Sequence, residues 1–133
     1  MIVDSSALIA ILRREPEAAS FARILEETDE LSCSAATYFE TAIVVDSRRD
    51  PIATLTLDDL IARAGIRIEP FTAYQAQIAR QAYRDFGRGS GHPANLNFGD
   101  CFAYALARDK RETLLYKGDD FVHTDLRPVI PQS

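Results

Sequence analysis

Met1-Ile2-Val3-Asp4-Ser5-Ser6-Ala7-Leu8 sets the architecture of this chain. A short apolar run halts on a carboxylate, and helical spacing begins directly after Ser5-Ser6. The stretch therefore reads as a buried strand that delivers an acid to a strand-to-helix turn. In open α/β sheets such turns lie along the edge where ligands bind. One carboxylate there is ordinary; several converging on the same edge are not.

The remaining sequence repeats the strand-then-helix pattern. Ala7 to Leu12 carry helical spacing up to Arg13-Arg14, and Pro16 opens a second short helix with Ala19, Phe21, Ala22, Ile24 and Leu25 on its apolar face. Residues 30–34 predict a second strand. A long helix over 35–49 stops at Asp50-Pro51, because proline cannot continue a helix and restricts the residue before it. Thr56-Leu57-Asp58-Asp59 resembles a helix start that Gly65 closes. Residues 66–70 predict a third strand, and Thr72 to Gln75 cap a helix that runs to Phe86. The glycine-rich stretch 87–93 is a flexible loop, lacking the spacing and lysine of a phosphate cradle. Asn97 caps a helix over 98–108, 112–116 predict a fourth strand, and 127–130 a fifth. This alternation predicts an α/β fold, with helices on both faces of a central parallel sheet of four to five strands.

The length of 133 residues and an apolar fraction of 47% suit one domain, 1–133, around one core. No run approaches the roughly 18 apolar residues of a membrane span, and the first residues lack a signal-peptide pattern, so a cytoplasmic protein without membrane association is expected. Cys33 and Cys101 lack C-x-x-C spacing and read as buried small hydrophobes. Fifteen Lys plus Arg against twenty Asp plus Glu give a net charge of −5, which argues against a broad basic nucleic-acid surface. A polyanionic substrate would need a bound divalent cation, or arginines gathered on one rim.

Four acids matter. Asp4 could serve simply as a helix N-cap, and Asp100, three residues after Asn97, as the reciprocal member of a capping box. Asp119 and Asp120 follow Lys117-Gly118 and could belong to an ordinary turn. Glu40 differs. On a helix of 3.6 residues per turn it shares a face with Ala36, Phe39, Ile43, Val44 and Ser47, a stripe without lysine or arginine, so it should be paired, coordinated or poised at a cleft lip. Asp4 and Asp119 follow strands and Asp100 opens a helix, so all can reach one rim. Carboxylates so gathered repel one another unless a cation is supplied, and oxygen-only donors select Mg²⁺ or Mn²⁺. That combination suits phosphodiester hydrolysis, with one or two metal ions.

The opening octapeptide, Glu40 in its mid-chain helix, Leu96-Asn97-Phe98-Gly99-Asp100-Cys101-Phe102-Ala103-Tyr104-Ala105-Leu106-Ala107 and Lys117-Gly118-Asp119-Asp120-Phe121 together resemble a PIN domain of the VapC toxin type. The resemblance covers essentially the whole chain. It implies a PIN-like three-layer fold and a Mg²⁺-dependent endoribonuclease, the toxin of a type II toxin–antitoxin pair, cleaving structured RNA such as tRNA or rRNA. By position, Asp4, Glu40 and Asp100 match the family's acidic triad, with Asp4 and Asp100 as direct metal ligands. The fourth acid falls on Asp119 or Asp120, with Asp119 preferred because it comes first after the turn. Ser6 is a candidate contact to a metal-bound water. The resemblance also implies a VapB-type antitoxin and a toxin homodimer, for which Tyr38, Ala42 and Val45 offer a surface unless they pack in the core. For RNA, Arg84, Arg88 and His92 beside the glycine-rich loop are candidate contacts, with Arg13, Arg14 and Lys117 near other parts of the rim.

Three other readings compete. The same acids would serve a nuclease acting on DNA or flap substrates. A phosphoacceptor signalling domain would want a lysine opposite the acids, and Lys117 is the one candidate. A non-catalytic binding module would tolerate loss of every acid.

Overall fold

The computed structural model describes residues 1–126, so the fifth strand expected at 127–130 lies outside the described residues. Among the described residues four strands, β1 (Ile2–Val3), β2 (Leu31–Ser34), β3 (Ile66–Glu69) and β4 (Leu114–Leu115), form one sheet of order β3-β2-β1-β4. All three pairings are parallel. Among the described residues the helices are α1 (Ser5–Leu12), α2 (Ala18–Glu27), α3 (Ala35–Asp46), α4 (Pro51–Ala64), α5 (Ala73–Phe86) and α6 (Phe98–Lys110).

The two-residue periodicity of a strand divides the core into two. Ile2 and its register partner Leu114 face a cluster with Ala82, Leu96, Tyr104 and Leu106, under α5 and α6. Val3 and its partner Leu115 face the opposite cluster of Leu8, Phe21, Leu25 and Leu31, against which Tyr38, Leu60 and Ile61 also pack. The result is the expected α/β/α layering.

The connectivity positions the site. From β1 the chain steps outward through β2 to β3, then crosses back to place β4 on the other side of β1. The strand order reverses between β1 and β4, and the crevice beyond their C-terminal ends is where parallel sheets bind ligands.

Two local expectations are corrected. The fourth helix starts at Pro51, not Thr56: Asp50 accepts from the Ile52 amide at 3.0 Å, and proline suits the first helical position. Thr56 is interior, its hydroxyl donating to the Ile52 carbonyl at 2.7 Å. The apparent capping sequence at 56–59 is therefore a helix interior. On α3, the inward residues are Thr37, Thr41 and Val45, whereas Phe39 and Ile43 are 65% and 52% exposed. The stripe containing Phe39, Glu40 and Ile43 is not the core face. Tyr38 and Val45, offered above as a dimer surface, pack inward instead. Thr41 can be buried because its hydroxyl donates to the Thr37 carbonyl at 2.9 Å.

The glycine-rich loop is more constrained than expected. Leu96 is buried, its amide donates to the Phe86 carbonyl at 2.8 Å, and the Arg88 amide donates back to the Leu96 carbonyl at 3.0 Å. Among the described residues no helix is long and apolar enough to cross a membrane.

Candidate active site

Asp4 stands at the C-terminal end of β1 and is 3% exposed. Its Oδ2 accepts from the Ser6 amide at 3.1 Å and the Ser6 hydroxyl at 2.6 Å, so it does cap α1. Its Oδ1 is buried and has no hydrogen-bond partner. Burial, the largest influence, pushes the carboxyl up to about 6, against the Ser6 hydrogen bonds and with help from Glu40. A cap uses one oxygen; the other remains for a ligand.

Asp100 has the same double character. Its amide donates to Asn97 Oδ1 at 2.9 Å and its own Oδ2 accepts from the Asn97 amide at 3.0 Å, forming a capping box. Burial pushes its carboxyl up to about 7, and the charges of Asp4 and Asp120 add to that. Of the acidic doublet, it is Asp120 whose carboxyl helps to push Asp100 up. Both members of the doublet are solvent-exposed, and the charge of Asp119, the acid preferred from sequence, acts on the Tyr116 hydroxyl.

Glu40 reaches the site from α3, half-buried at its edge rather than inside an apolar stripe. Its carboxylate lies against Gly99, the second residue of α6: a side-chain carbon at that position would sit 2.8 Å from Glu40 Cδ and 2.9 Å from Oε1. The carboxylate is thus held beside a helix N-terminus, where the dipole favours negative charge. Sequence reasoning missed Gly99. The available signal was a glycine inside a helical pattern, a choice that costs about 0.5–1 kcal/mol relative to alanine unless close approach requires it.

Ser6 has a structural role beyond the expected one. While donating to Asp4, its hydroxyl accepts from the Lys117 amide at 2.9 Å, tying the chain after β4 to the end of β1. The Lys117 ammonium points to Glu15 at 3.1 Å and Glu17 at 3.2 Å. Lys117 is thereby engaged away from the acids, which removes the lysine that a phosphoacceptor domain would need. His92 is likewise occupied: its Nδ1 accepts from the Ala94 amide at 3.1 Å and its ring packs edge-on against Phe86. Arg84 and Arg88 line an open groove leading away from Asn97 and Phe98, and Arg80 joins them. Cys33 and Cys101 are buried free thiols, pushed up mainly by burial to about 12 and about 11, so neither is a nucleophile.

Among the described residues no three carboxylate, imidazole or thiol groups come together closely enough to hold an ion unaided. Asp4 and Asp100 nevertheless offer hard oxygen donors whose mutual repulsion a cation would relieve. Mg²⁺ commonly takes one or two carboxylates and keeps several waters, so the donor set fits it.

A parallel α/β/α sheet with acids gathered at its switch point defines a PIN-type domain. The chain belongs to the PIN domain family, which it matches over residues 1–126. Its place is among the VapC ribonucleases: it is 58% identical over 127 residues to Ribonuclease VapC28 of Mycobacterium tuberculosis, covering 96% of each chain. The fold is shared with the crystal structure of VapC20 of Mycobacterium tuberculosis, a sarcin–ricin loop cleaving toxin, with a TM-score of 0.75, 20% identity and 98% of each chain covered. FitAcB from Neisseria gonorrhoeae has a TM-score of 0.69 at 20% identity, again over 98% of each chain.

Proposed function

We propose that this single-domain protein is a Mg²⁺-dependent endoribonuclease, the toxin of a type II toxin–antitoxin pair, which cuts structured RNA in the cytoplasm. The observation that carries the chemistry is Asp4 Oδ1, a buried carboxylate oxygen without a partner beside two further acids. Leaving such an atom unpaired is costly, which favours a cation as its missing partner. Asp4 and Asp100 are the direct ligands in this reading, with Mn²⁺ able to substitute. Bound there, the ion would supply neutralisation of the substrate phosphate and activation of an attacking water. Glu40 orients water from the α6 side, and Asp120 rather than Asp119 is the fourth acid. Ser6 engages Asp4 Oδ2 through its amide and hydroxyl, which leaves Oδ1 for the ion.

An antitoxin of the VapB type is the expected partner, and a homodimer the expected assembly. The exposed Phe39 and Ile43 on α3, with Ile52 and Leu55 on α4, give apolar surface for such contacts. The test is incubation of the protein with labelled tRNA, rRNA fragments and matched DNA, in Mg²⁺ or in chelator. RNA-selective cleavage that stops with chelator is expected; metal-independent cleavage, or cleavage of DNA alone, would refute the reading. Growth arrest on expression, relieved by a small protein encoded beside it, tests the toxin role.

A further inference from the structure

The groove between α5 and α6, about 980 Å³ in volume, adjoins the acids without contributing to them. Its lining is aromatic. Phe102 is flanked edge-on by Phe71 and by Phe98, each with ring centroids 4.7 Å from its own. Phe98, at the outer end of this row, is 78% exposed, yet it is the first residue of α6 and stands two positions before Asp100. The rim is cationic. Arg80 and Arg84 are one turn apart on α5 and Arg88 follows its end, all three exposed, and among the described residues none forms an ion pair. On a chain of net charge −5 these cations are not drawn together by general composition. Like charges so gathered are relieved by an anion, and an exposed ring by something flat.

We propose that this groove seats an unpaired nucleotide next to the scissile phosphate, its base stacked on Phe98 and its flanking phosphates held by Arg84 and Arg88. The inference rests on the ribonuclease reading and adds the form of RNA the site accepts. Every base presents a π-face, so stacking on phenylalanine is tolerant of sequence, but a base inside a duplex has both faces already covered. Guanidinium groups beside the ring supply the phosphate contacts. A second copy of the chain would also cover Phe98. A two-fold contact, however, brings the same patch from each copy, and with it both sets of unpaired arginines.

The experiment uses the full chain carrying Asp100→Asn, so that RNA is bound but not cut, with two hairpins carrying 2-aminopurine in the loop or in the stem. Loop fluorescence should be quenched on binding and stem fluorescence unchanged. Phe98→Ala should abolish the quench and weaken Kd by about tenfold, the scale of one lost stack, while Phe98→Tyr restores both. Arg84→Ala with Arg88→Ala should lower the slope of log K against log salt by about 1.4, two contacts at roughly 0.7 each. Phe98 is at the surface, so these variants should melt as the parent does. Unchanged binding by Phe98→Ala would overturn the proposal, as would equal affinity for loop and fully paired RNA. A shift from dimer to monomer in sedimentation with RNA binding intact would overturn it too, by making the groove a contact between copies. Cleavage by the unsubstituted chain is measured separately: its absence alongside Phe98-dependent quenching would refute the nuclease and leave the groove an RNA site.

Discussion

The Glu40 carboxylate rests on the backbone of Gly99, so closely that no other residue fits at 99 without displacing it. An acid on one helix is thereby positioned by the absence of a side chain on another. Gly99→Ala should improve the intrinsic helix propensity of α6 and still impair the site. We expect RNA cleavage to fall by about tenfold or more, with the Mg²⁺ concentration for half-maximal rate raised, equivalent to at least ~1.4 kcal/mol. In a Glu40→Gln background the same substitution should cost much less, because non-additivity marks residues acting through one contact. Steady-state kinetics of the four proteins checks this; equal losses in both backgrounds would separate Gly99 from Glu40.

Asp100→Asn keeps the capping box, since an amide oxygen can still accept from the Asn97 amide, but removes a charge that faces Asp4 and Asp120. Cleavage should drop by about 100-fold or more, the scale of several kcal/mol of lost charge stabilisation. The metal-free fold should be as stable as the parent or more so in urea titration. A destabilised, active variant would contradict both halves.

The raised acids make the metal-free protein sensitive to pH. Asp4 and Asp100, pushed up to about 6 and about 7 chiefly by burial, stay protonated in the folded chain at pH values where the unfolded chain has released those protons. Folding then takes up protons, so stability is highest below the unfolded value near 4 and is lost as pH rises through 6 to 7. For the nearly buried Asp4 the difference is about 2–3 kcal/mol, with a smaller part from the more exposed Asp100. Urea midpoints in chelator should therefore be higher at pH 5 than at pH 7.5. Saturating Mg²⁺ should stabilise the protein most at the higher pH, where its ligands are ionised.

Ser6→Ala removes the hydroxyl that donates to Asp4 and leaves the Lys117 amide without its acceptor. A loss of about 1–3 kcal/mol in stability is expected. Because the Ser6 hydrogen bonds hold the Asp4 carboxyl down, the acid limb of the pH–rate profile should move to higher pH. Ser6→Thr should restore both. A profile that does not move would confine Ser6 to holding the chain after β4.

Strand and helix order, the strand-end position of Asp4 and the Asn97/Asp100 capping box were legible in the residues themselves. They depend on short-range rules: side-chain periodicity along the backbone, and amides satisfied within three positions. The resemblance to PIN domains rested on the same local stretches. Only the tertiary structure decided the rotation of α3. With Phe39, Ile43, Val44 and Val45 distributed around that helix, periodicity admits more than one inward face. Thr37 and Thr41 face the core; Thr41 satisfies its hydroxyl within its own helix, whereas the Thr37 hydroxyl is buried without a partner. Glu40 was therefore singled out for lying on a stripe that is not the core face, and it lies at the edge of α3 against Gly99. The influence of Asp120 on Asp100 and the capture of Lys117 by Glu15 and Glu17 are likewise long-range outcomes. Each depends on which groups the fold brings opposite one another, and sequence spacing carries no information on distances across the sheet.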